Sequence, residues 1–155
     1  MVPITPGGLG TMGYGLPAAI GAQAANRDAT VVTISGDGSI QMNFQELVVA
    51  VEHELPVITV ILNNGYLGMV RQWQEMFFER RYSFVKLANP DFIKIAEGCG
   101  VPGARVAKRG ELVEHLQKML SFAGPYILDV VVEQEENVFP MVPAGKPIDE
   151  IMEGP

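Results

Sequence analysis

Two short polar turns in the chain have the residue types of a metal and phosphate site. They are Gly36-Asp37-Gly38-Ser39 and Asn63-Asn64-Gly65-Tyr66. An Asp carboxylate and an Asn amide oxygen are hard ligands, which suit Mg²⁺ or Ca²⁺ and are poor ligands for zinc or copper. Glycines such as Gly36 and Gly38 let backbone N–H groups come close to phosphate oxygens. The two turns therefore favour a site for a divalent cation and a diphosphate.

Each turn directly follows a short apolar run that is typical of a buried strand. The runs are Val31–Ser35 and Val57–Leu62. The 24 residues from Ser39 to Leu62 hold one predicted helix, from about Asn43 to Leu55, and the second strand. Ligands of parallel sheets bind beyond the carboxyl ends of the strands, so we expect the two turns to meet if the strands are neighbours. Taken singly, each turn is better explained as ordinary turn chemistry, and it is the presence of both, each after a buried strand, that favours a site.

The rest of the chain continues the alternation of strand and helix. Further strands are predicted near Ala104–Val106 and Tyr126–Val132, which are mainly apolar. Further helices are predicted over Pro17–Ala25, Leu67–Phe78, Asn89–Gly98 and Glu111–Phe122. This order predicts an α/β fold with three layers, in which helices cover both faces of a mostly parallel sheet. We expect one domain over residues 1–133 and a carboxyl-terminal arm over 134–155.

Composition excludes several classes of protein. The 155 residues are 48% apolar and carry a net charge of −7, from 11 basic and 18 acidic side chains. So apolar a chain folds around a core. The acidic balance argues against nucleic acid or an anionic membrane as partner. A single cysteine excludes a disulfide framework and any four-cysteine metal site, and it fits a cytoplasmic protein.

Several longer motifs carry a resemblance to a known family. The chain resembles the carboxyl-terminal, thiamine-diphosphate-binding domain of the acetohydroxyacid synthase (acetolactate synthase) large subunit. The likeness covers nearly the whole chain. The motifs that carry it are Gly8-Leu9-Gly10-Thr11-Met12-Gly13-Tyr14-Gly15-Leu16-Pro17, Gly36-Asp37-Gly38, Gln41-Met42-Asn43, Asn63-Asn64, Leu67-Gly68-Met69-Val70-Arg71-Gln72-Trp73-Gln74 and Asn137-Val138-Phe139-Pro140-Met141-Val142-Pro143.

The resemblance implies a role for each turn residue. Asp37 and Asn64 would bind Mg²⁺ through side-chain oxygens, and the backbone carbonyl of Tyr66 would be the third protein ligand. Gly38 and Ser39 would hold the diphosphate through their backbone N–H groups.

The resemblance also implies roles for four residues outside the turns. Gly10 would contact the aminopyrimidine through its backbone, and Met12 would be the apolar support that bends the cofactor. Met69 would line the reaction pocket, and Trp73 would favour 2-oxobutyrate over pyruvate as second substrate. Without the family match, the two methionines are better explained as ordinary core residues, and Trp73 is open to explanation as part of a packing stripe.

The implied activity is part of branched-chain amino acid biosynthesis. The family decarboxylates pyruvate and condenses the product with pyruvate or 2-oxobutyrate. Its activating glutamate lies on an amino-terminal, pyrimidine-binding domain of the same or a neighbouring subunit, and a middle domain carries FAD. Neither domain is recognisable here, so we expect an inactive isolated chain that is a fragment or a separately encoded subunit, and we favour the fragment. Expected partners are the missing domain, further copies in a homo-oligomer and a regulatory small subunit.

Other functions remain open at this level. Another thiamine-diphosphate-dependent decarboxylase would share the two turns but would not explain the segment around Trp73. A 2-oxo-acid oxidoreductase subunit would need cysteine-held clusters, which one cysteine cannot supply. A non-catalytic assembly module of the same fold would bind no cofactor. A Mg²⁺–nucleotide domain is disfavoured because the chain has no phosphate-loop motif of the G-x-x-x-x-G-K-[ST] type.

Overall fold

A computed structural model describes residues 1–154, and its centre is a parallel sheet of four strands. The strands are β1 (Val32–Gly36), β2 (Ile58–Asn63), β3 (Gly103–Val106) and β4 (Tyr126–Val131). Their order across the sheet is β1-β2-β4-β3, and every neighbouring pair is parallel. The predicted parallel sheet is confirmed, and the strands that precede the two polar turns are neighbours.

Six α-helices and three short 3₁₀ turns connect and cover the strands. The helices are α1 (Gly15–Ala25), α2 (Asp37–Ile40), α3 (Leu47–Glu52), α4 (Gly68–Phe77), α5 (Phe92–Gly98) and α6 (Leu112–Ser121). The 3₁₀ turns are Phe44–Glu46, Arg109–Glu111 and Ile148–Glu150. Among residues 1–154, no helix is long and apolar enough to span a bilayer.

The core has two parts, one on each face of the sheet. On one face, α1, α3 and α5 pack side chains such as Leu16, Ala50 and Ala96 against Ile61 and Ile127. The other face is covered by α6, and its buried residues are Ile58, Val106, Met119, Tyr126 and Leu128. The three-layer α/β/α arrangement predicted from the sequence is therefore confirmed.

Helix α1 approaches the sheet more closely than a larger residue at its first position would permit. A Cβ atom on Gly15 would lie 2.8 Å from Oγ1 of Thr33 and 3.1 Å from Oγ of Ser35. Both hydroxyl side chains are buried on β1 under this helix. The helix begins at Gly15, two residues earlier than predicted, and Pro17 is its third residue.

The helix predicted from Asn43 to Leu55 is shorter in the structure. It begins as a 3₁₀ turn, because the Asn43 side chain does not cap it and instead donates a hydrogen bond to the carbonyl of Gly13. It ends at Glu52, because Glu54 adopts the left-handed conformation with φ 52°. The amide of Leu55 then donates to the carbonyl of Ala50 and closes the helix end.

The residues that follow β4 lie along α4, on the same side of the molecule as the second polar turn. Gln72 donates to the carbonyl of Val138 and accepts from its amide, at 3.0 and 2.8 Å. Met141 and Met152 form an isolated antiparallel bridge. Pro155, the last residue of the predicted arm, lies outside the described residues.

Candidate functional site

Asp37 lies at the point where the two polar turns meet. It is 1% exposed, and its carboxylate accepts three hydrogen bonds. The amide of Gly38 donates to Oδ1 at 3.0 Å, and the amide of Gly65 donates to Oδ2 at 2.8 Å. The side chain of Asn89 also donates to Oδ2, at 2.6 Å. The Gly65 contact joins the turn after β1 to the turn after β2.

The second turn has a local geometry that aims the Gly65 amide at Asp37. Oδ1 of Asn64 accepts a hydrogen bond from the amide of Tyr66 at 3.0 Å, an arrangement that asparagine favours in turns. Gly65 has φ 70°, a left-handed conformation that is strained for residues with a side chain. The sequence Asn64-Gly65 therefore provides both the turn and the donor.

The two adjacent asparagines have different surroundings. Nδ2 of Asn63 donates to Oδ1 of Asp129 at 3.0 Å, and its Oδ1 accepts from Asn89 at 2.9 Å. Asp129 is 0% exposed and is paired with Arg105, whose Nε donates at 2.7 Å. This hydrogen bond raises the pKa of Arg105 above its ordinary value. Asn63 is thus held within the protein, whereas Asn64 makes only the local turn contact.

The loop before α1, which contains Gly10 and Gly13, lies beside α2. The side chains of Ser39 and Asn43 hold it there through hydrogen bonds. The amide of Gly13 donates to Oγ of Ser39 at 2.8 Å, and its carbonyl accepts from Asn43. Gly10 and Gly13 have φ values of 61° and 84°, so both positions require glycine for their backbone conformation. The loop brings Met12, which is 42% exposed, next to the first turn.

Gly38 lies in a narrow space between three apolar side chains. A Cβ atom at this position would lie 2.9 Å from Leu67, 3.2 Å from Leu87 and 3.3 Å from Cε of Met12. A larger residue would therefore push these side chains aside. Glycine keeps the backbone of the turn open on the side where Met12 lies.

Helix α4 follows the second turn and presents two different faces. Met69 and Phe77 are 54% and 42% exposed, and the ring of Trp73 packs on Phe77 with a centroid distance of 5.1 Å. On the opposite face, Arg71 and Gln72 are fully buried. Met12 in the preceding loop is also exposed, whereas Trp73 is half-buried.

The buried face of α4 holds the carboxyl-terminal segment through charged groups. Arg71 donates to Glu75 and to Asn137, each at 2.5 Å, and to the carbonyl of Glu136 at 3.2 Å. Glu75 also accepts from Arg80 at 2.7 Å and from Asn137 at 3.2 Å. The hydrogen bond from Arg80, together with those from Arg71 and Asn137, lowers the pKa of Glu75 to about 2.

Comparison with known proteins identifies the family. Residues 2–130 match the family described as thiamine pyrophosphate enzyme, C-terminal TPP binding domain. The chain belongs to this family. Thiamine pyrophosphate is the same compound as thiamine diphosphate, so the cofactor implied by the resemblance is that of the family.

Relatives of this thiamine pyrophosphate-binding domain include acetolactate synthases. The chain is 49% identical over 151 residues to the acetolactate synthase isozyme 2 large subunit of Escherichia coli (strain K12), which covers 97% of this chain and 28% of that protein. It is 51% identical over 149 residues to the mitochondrial acetolactate synthase catalytic subunit of Saccharomyces cerevisiae, covering 96% and 22%. The chain thus corresponds to about a quarter of each relative's length.

A solved structure has the same fold as this thiamine pyrophosphate-binding domain. It is the thiamine diphosphate-dependent 4-hydroxybenzoylformate decarboxylase of Rhodococcus jostii RHA1, with a TM-score of 0.75 and 32% identity. The similarity covers 81% of this chain and 24% of that one. The α/β fold is therefore that of a thiamine diphosphate-dependent enzyme.

The structure brings together the predicted residues of the thiamine pyrophosphate-binding domain around the first turn. Asp37 contacts Gly38 and the Gly65 amide of the second turn, Met12 lies beside Gly38, and Ser39 binds the loop through Gly13. Trp73 and Met69 lie farther along the chain on α4, where the aromatic partner of Trp73 is Phe77. Gly10 lies in the loop that Ser39 fastens through Gly13.

Sequence reasoning missed three residues of this cluster. Asn89 was interpreted as the start of a helix, and Gln41 and Asp129 were assigned no role. A buried acidic residue inside an otherwise apolar strand, such as Asp129 in β4, is the signal that was available, because a buried charge requires a partner. Asn89 carried no such signal, since Asn-Pro is common in turns.

Proposed function

We propose that this domain holds Mg²⁺ and the diphosphate of thiamine diphosphate at the Asp37–Asn64 edge of the sheet, as one part of an acetolactate synthase. The observation that carries the proposal is the hydrogen bond of 2.8 Å from the Gly65 amide to Oδ2 of Asp37. It places the only buried carboxylate of the first turn beside the second turn. The family match supplies the identity of the cofactor.

The metal ligands in this proposal are Asp37, Asn64 and the carbonyl of Tyr66. The donor set fits Mg²⁺, because all three groups offer oxygen and Mg²⁺ keeps further positions for phosphate and water. No backbone amide of residues 1–154 donates to the Tyr66 carbonyl, so its oxygen is available. Asn63 is not a ligand in this proposal, because its amide is held between Asp129 and Asn89, whereas the Asn64 side chain contacts its own turn.

The diphosphate is held by the first turn. Gly36, Gly38 and Ser39 are assigned to the diphosphate through their backbone N–H groups, and the Gly38 N–H would exchange its contact with Oδ1 of Asp37 for a phosphate oxygen. A side chain at Gly38 would displace Leu67, Leu87 and Met12, which surround it. The hydroxyl of Ser39 is occupied by the Gly13 amide, so the serine side chain orders the loop. Helix α2 has only four residues, so we assign no role to a helix dipole.

The loop and α4 would hold the organic part of the cofactor. Gly10 would contact the aminopyrimidine through its backbone, and the exposed side chain of Met12 would give the cofactor apolar support. Bound thiamine diphosphate supplies a carbon nucleophile and an electron sink, which amino acid side chains do not provide. The residues of this chain bind it and shape the apolar pocket around it.

Substrate choice is assigned to the exposed face of α4. Met69 lines the pocket, and Trp73 contacts the extra methyl group of 2-oxobutyrate. One methylene group is worth about 1–3 kcal/mol in an apolar pocket, so the preference over pyruvate is graded. The packing of Trp73 on Phe77 holds the indole in place for this contact.

The rest of the full-length enzyme supplies the activating glutamate and the FAD site, which this domain lacks. The glutamate that activates the cofactor lies on an amino-terminal domain of the same or a neighbouring subunit, and FAD is bound elsewhere in the full-length enzyme. The parent is a homo-oligomer, and a regulatory small subunit is a further partner. The exposed side chains of Met12 and Met69 would belong to the surface that the amino-terminal domain covers.

A calorimetric titration of thiamine diphosphate into the chain, with and without Mg²⁺, tests the site. We expect binding that requires Mg²⁺ and is abolished by Asp37→Ala. Asp28→Ala, at an exposed aspartate after α1, is the matched control and should bind like the wild type. If Asp37→Ala remains folded and binds normally, the assignment of the metal site is wrong.

A decarboxylase is the second candidate function, because the solved neighbour is one. The two functions differ in their product. After the amino-terminal domain has been supplied, an acetolactate synthase forms acetolactate from pyruvate, whereas a simple decarboxylase releases an aldehyde. The Trp73 segment favours the synthase, and acetaldehyde as the main product would favour the decarboxylase.

A further inference from the structure

Asn89 links the first turn to a polar network at the carboxyl edge of the sheet. It lies outside the predicted metal ligands and 52 positions from Asp37 along the chain. Its Nδ2 donates to Oδ2 of Asp37 at 2.6 Å and to Oδ1 of Asn63 at 2.9 Å. Its Oδ1 accepts from Nε2 of Gln41 at 2.8 Å. Both ends of the Asn89 amide are therefore engaged.

The polarity of this network determines which way each amide points. Arg105 donates to Asp129, so the Asp129 carboxylate accepts and Asn63 must present its Nδ2 to it. The Oδ1 of Asn63 then faces Asn89, which can only donate to it. The Asn89 donor is thereby directed to Asp37 as well. A charge pair in β3 and β4 thus determines the orientation of a side chain that contacts Asp37.

The contacts of Asp37 differ between its two oxygens. Oδ2 accepts from Gly65 and Asn89, which are donors from two other segments of the chain. Oδ1 accepts only from the amide of Gly38, the next residue. A carboxylate oxygen has two lone pairs, so Oδ2 is fully used while Oδ1 keeps one free.

We infer that Asn89 is a positioning residue, which occupies Oδ2 of Asp37 so that the carboxylate binds Mg²⁺ through Oδ1 alone. This inference rests on the magnesium site proposed above. A carboxylate fixed in monodentate geometry suits the strict octahedron of Mg²⁺, whereas Ca²⁺ accepts bidentate carboxylates and larger coordination numbers. Asn89 therefore contributes to the choice of Mg²⁺ over Ca²⁺.

Capping of α5 does not account for the contacts of Asn89. That role belongs to Asp91, whose Oδ1 accepts from the amides of Ile93 and Lys94 at 3.2 and 3.5 Å. Asp91 also contacts Arg105 at 3.3 Å. The hydrogen bonds of the Asn89 side chain go instead to Asp37, Asn63 and Gln41. Asp91 thus offers a matched control in the same segment.

The test uses the 155-residue chain with excess thiamine diphosphate and Mn²⁺ as a paramagnetic probe. Bound Mn²⁺ is measured by electron paramagnetic resonance, and its displacement by Mg²⁺ and by Ca²⁺ gives both affinities. A titration without protein corrects for metal held by the free cofactor. The variants are Asn89→Leu, which keeps the branched arrangement of heavy atoms without donors, Asn89→Gln, which restores an amide, and Asp91→Ala.

We expect Asn89→Leu to weaken Mn²⁺ and Mg²⁺ binding about 10–100-fold, the usual effect of losing a residue that orients a metal ligand. Its Ca²⁺ affinity should fall less, so the ratio of Mg²⁺ to Ca²⁺ affinity falls. Asn89→Gln should recover part of the loss. Asp91→Ala should lower stability and leave the ratio unchanged.

Each contrary result has a distinct meaning. If the wild type binds no Mn²⁺ in the presence of the cofactor, the proposed site is wrong and the inference falls with it. If the wild type binds but Asn89→Leu binds equally well, the inference alone is overturned. An equal change of the ratio in Asp91→Ala would also overturn it, because general loosening of the segment would then explain the effect.

Discussion

At the scale of single residues, side chains of the same type that are close in sequence have different contacts in the site. Asn63 and Asn64 have the same side chain, yet one is paired at both ends inside the protein and the other makes a local turn contact. Gly36 and Gly38 are both glycine, yet a Cβ atom would meet close neighbours only at Gly38. The residue type alone does not reveal these differences.

The two asparagines should respond differently to alanine substitution. Asn63→Ala leaves buried Asp129 without one donor, so we expect the free energy of unfolding to fall by about 1–3 kcal/mol. Asn64→Ala should change stability less and weaken Mg²⁺-dependent binding of thiamine diphosphate by about tenfold or more. Urea unfolding and calorimetry measure the two quantities. Equal loss of stability in both variants, with unchanged binding, would contradict the assignment.

Gly38→Ala should reduce both stability and cofactor binding. Its Cβ would lie 2.9 Å from Leu67, so the apolar side chains around it must shift, at a cost of about 1–3 kcal/mol. Gly21→Ala in α1 is the control, because its Cβ would meet nothing within 4 Å. A helical Gly→Ala change of this kind stabilises by about 0.5–1 kcal/mol. A neutral Gly38→Ala would show that the space is less restricted than the structure indicates.

At the scale of elements, α4 connects the site with the carboxyl-terminal segment. Its exposed face carries Met69 and Trp73, and its buried face carries Arg71 and Gln72. The two faces belong to one rigid helix of ten residues. Contacts of Arg71 and Gln72 with Asn137 and Val138 therefore hold in place the same helix that presents the proposed substrate residues.

The Arg71–Glu75 cluster should make stability depend on pH in the acid range. The folded-state pKa of Glu75 is about 2, below its ordinary 4.5, so the ionised carboxylate stabilises the fold above about pH 4.5. This contribution is lost as the pH falls toward 2. Glu75→Gln should lower the urea midpoint at pH 7 and flatten the decline between pH 4.5 and 2.

Exposed Glu114 on α6 provides the control for this experiment. Glu114→Gln should leave both the midpoint at pH 7 and its acid decline close to those of the wild type. If Glu75→Gln loses stability in acid as steeply as the wild type, other carboxylates cause the decline. The contact of Glu75 with Arg71 and Arg80 would then contribute little to folding.

At the scale of the whole molecule, the chain corresponds to one domain of longer proteins. Residues 2–130 form the thiamine pyrophosphate-binding domain. In the longer relatives, about three quarters of the length lies outside the part that matches this chain. The exposed side chain of Met12 lies beside Gly38, and that of Met69 lies on α4. In the proposed enzyme, this surface meets the domain that carries the activating glutamate.

The isolated chain should therefore form no acetolactate from pyruvate, even with Mg²⁺ and thiamine diphosphate. Adding the amino-terminal part of the parent enzyme should restore acetolactate formation and strengthen cofactor binding, because both halves of the cofactor are then held. The measurement is acetolactate formed over time, with the Asp37→Ala chain as the inactive control. Steady turnover by the wild-type chain alone would contradict the proposed division of the site.

The sequence by itself was sufficient for the fold class and for the two polar turns. The strands are visible as apolar runs of five to six residues, such as Val57–Leu62, which alternate with helical patterns. Both patterns are local, so they can be recognised from neighbouring residues in the sequence. The same holds for the left-handed turn at Gly65, which follows from residue type. Element ends were less accurate, because the Asn43 side chain binds Gly13 in the loop instead of capping its own helix.

Only the tertiary structure decided which distant side chains meet. Asn89 lies in the loop between α4 and α5, and the course of this loop brings it to Asp37. Asp129 reaches Asn63 because β2 and β4 are neighbours in the sheet order β1-β2-β4-β3. Neither the spacing nor the residue types along the chain determine that order. The roles of Asn63 and Asn64 separate for the same reason: a buried charge on the neighbouring strand β4 binds the first and leaves the second facing the turn.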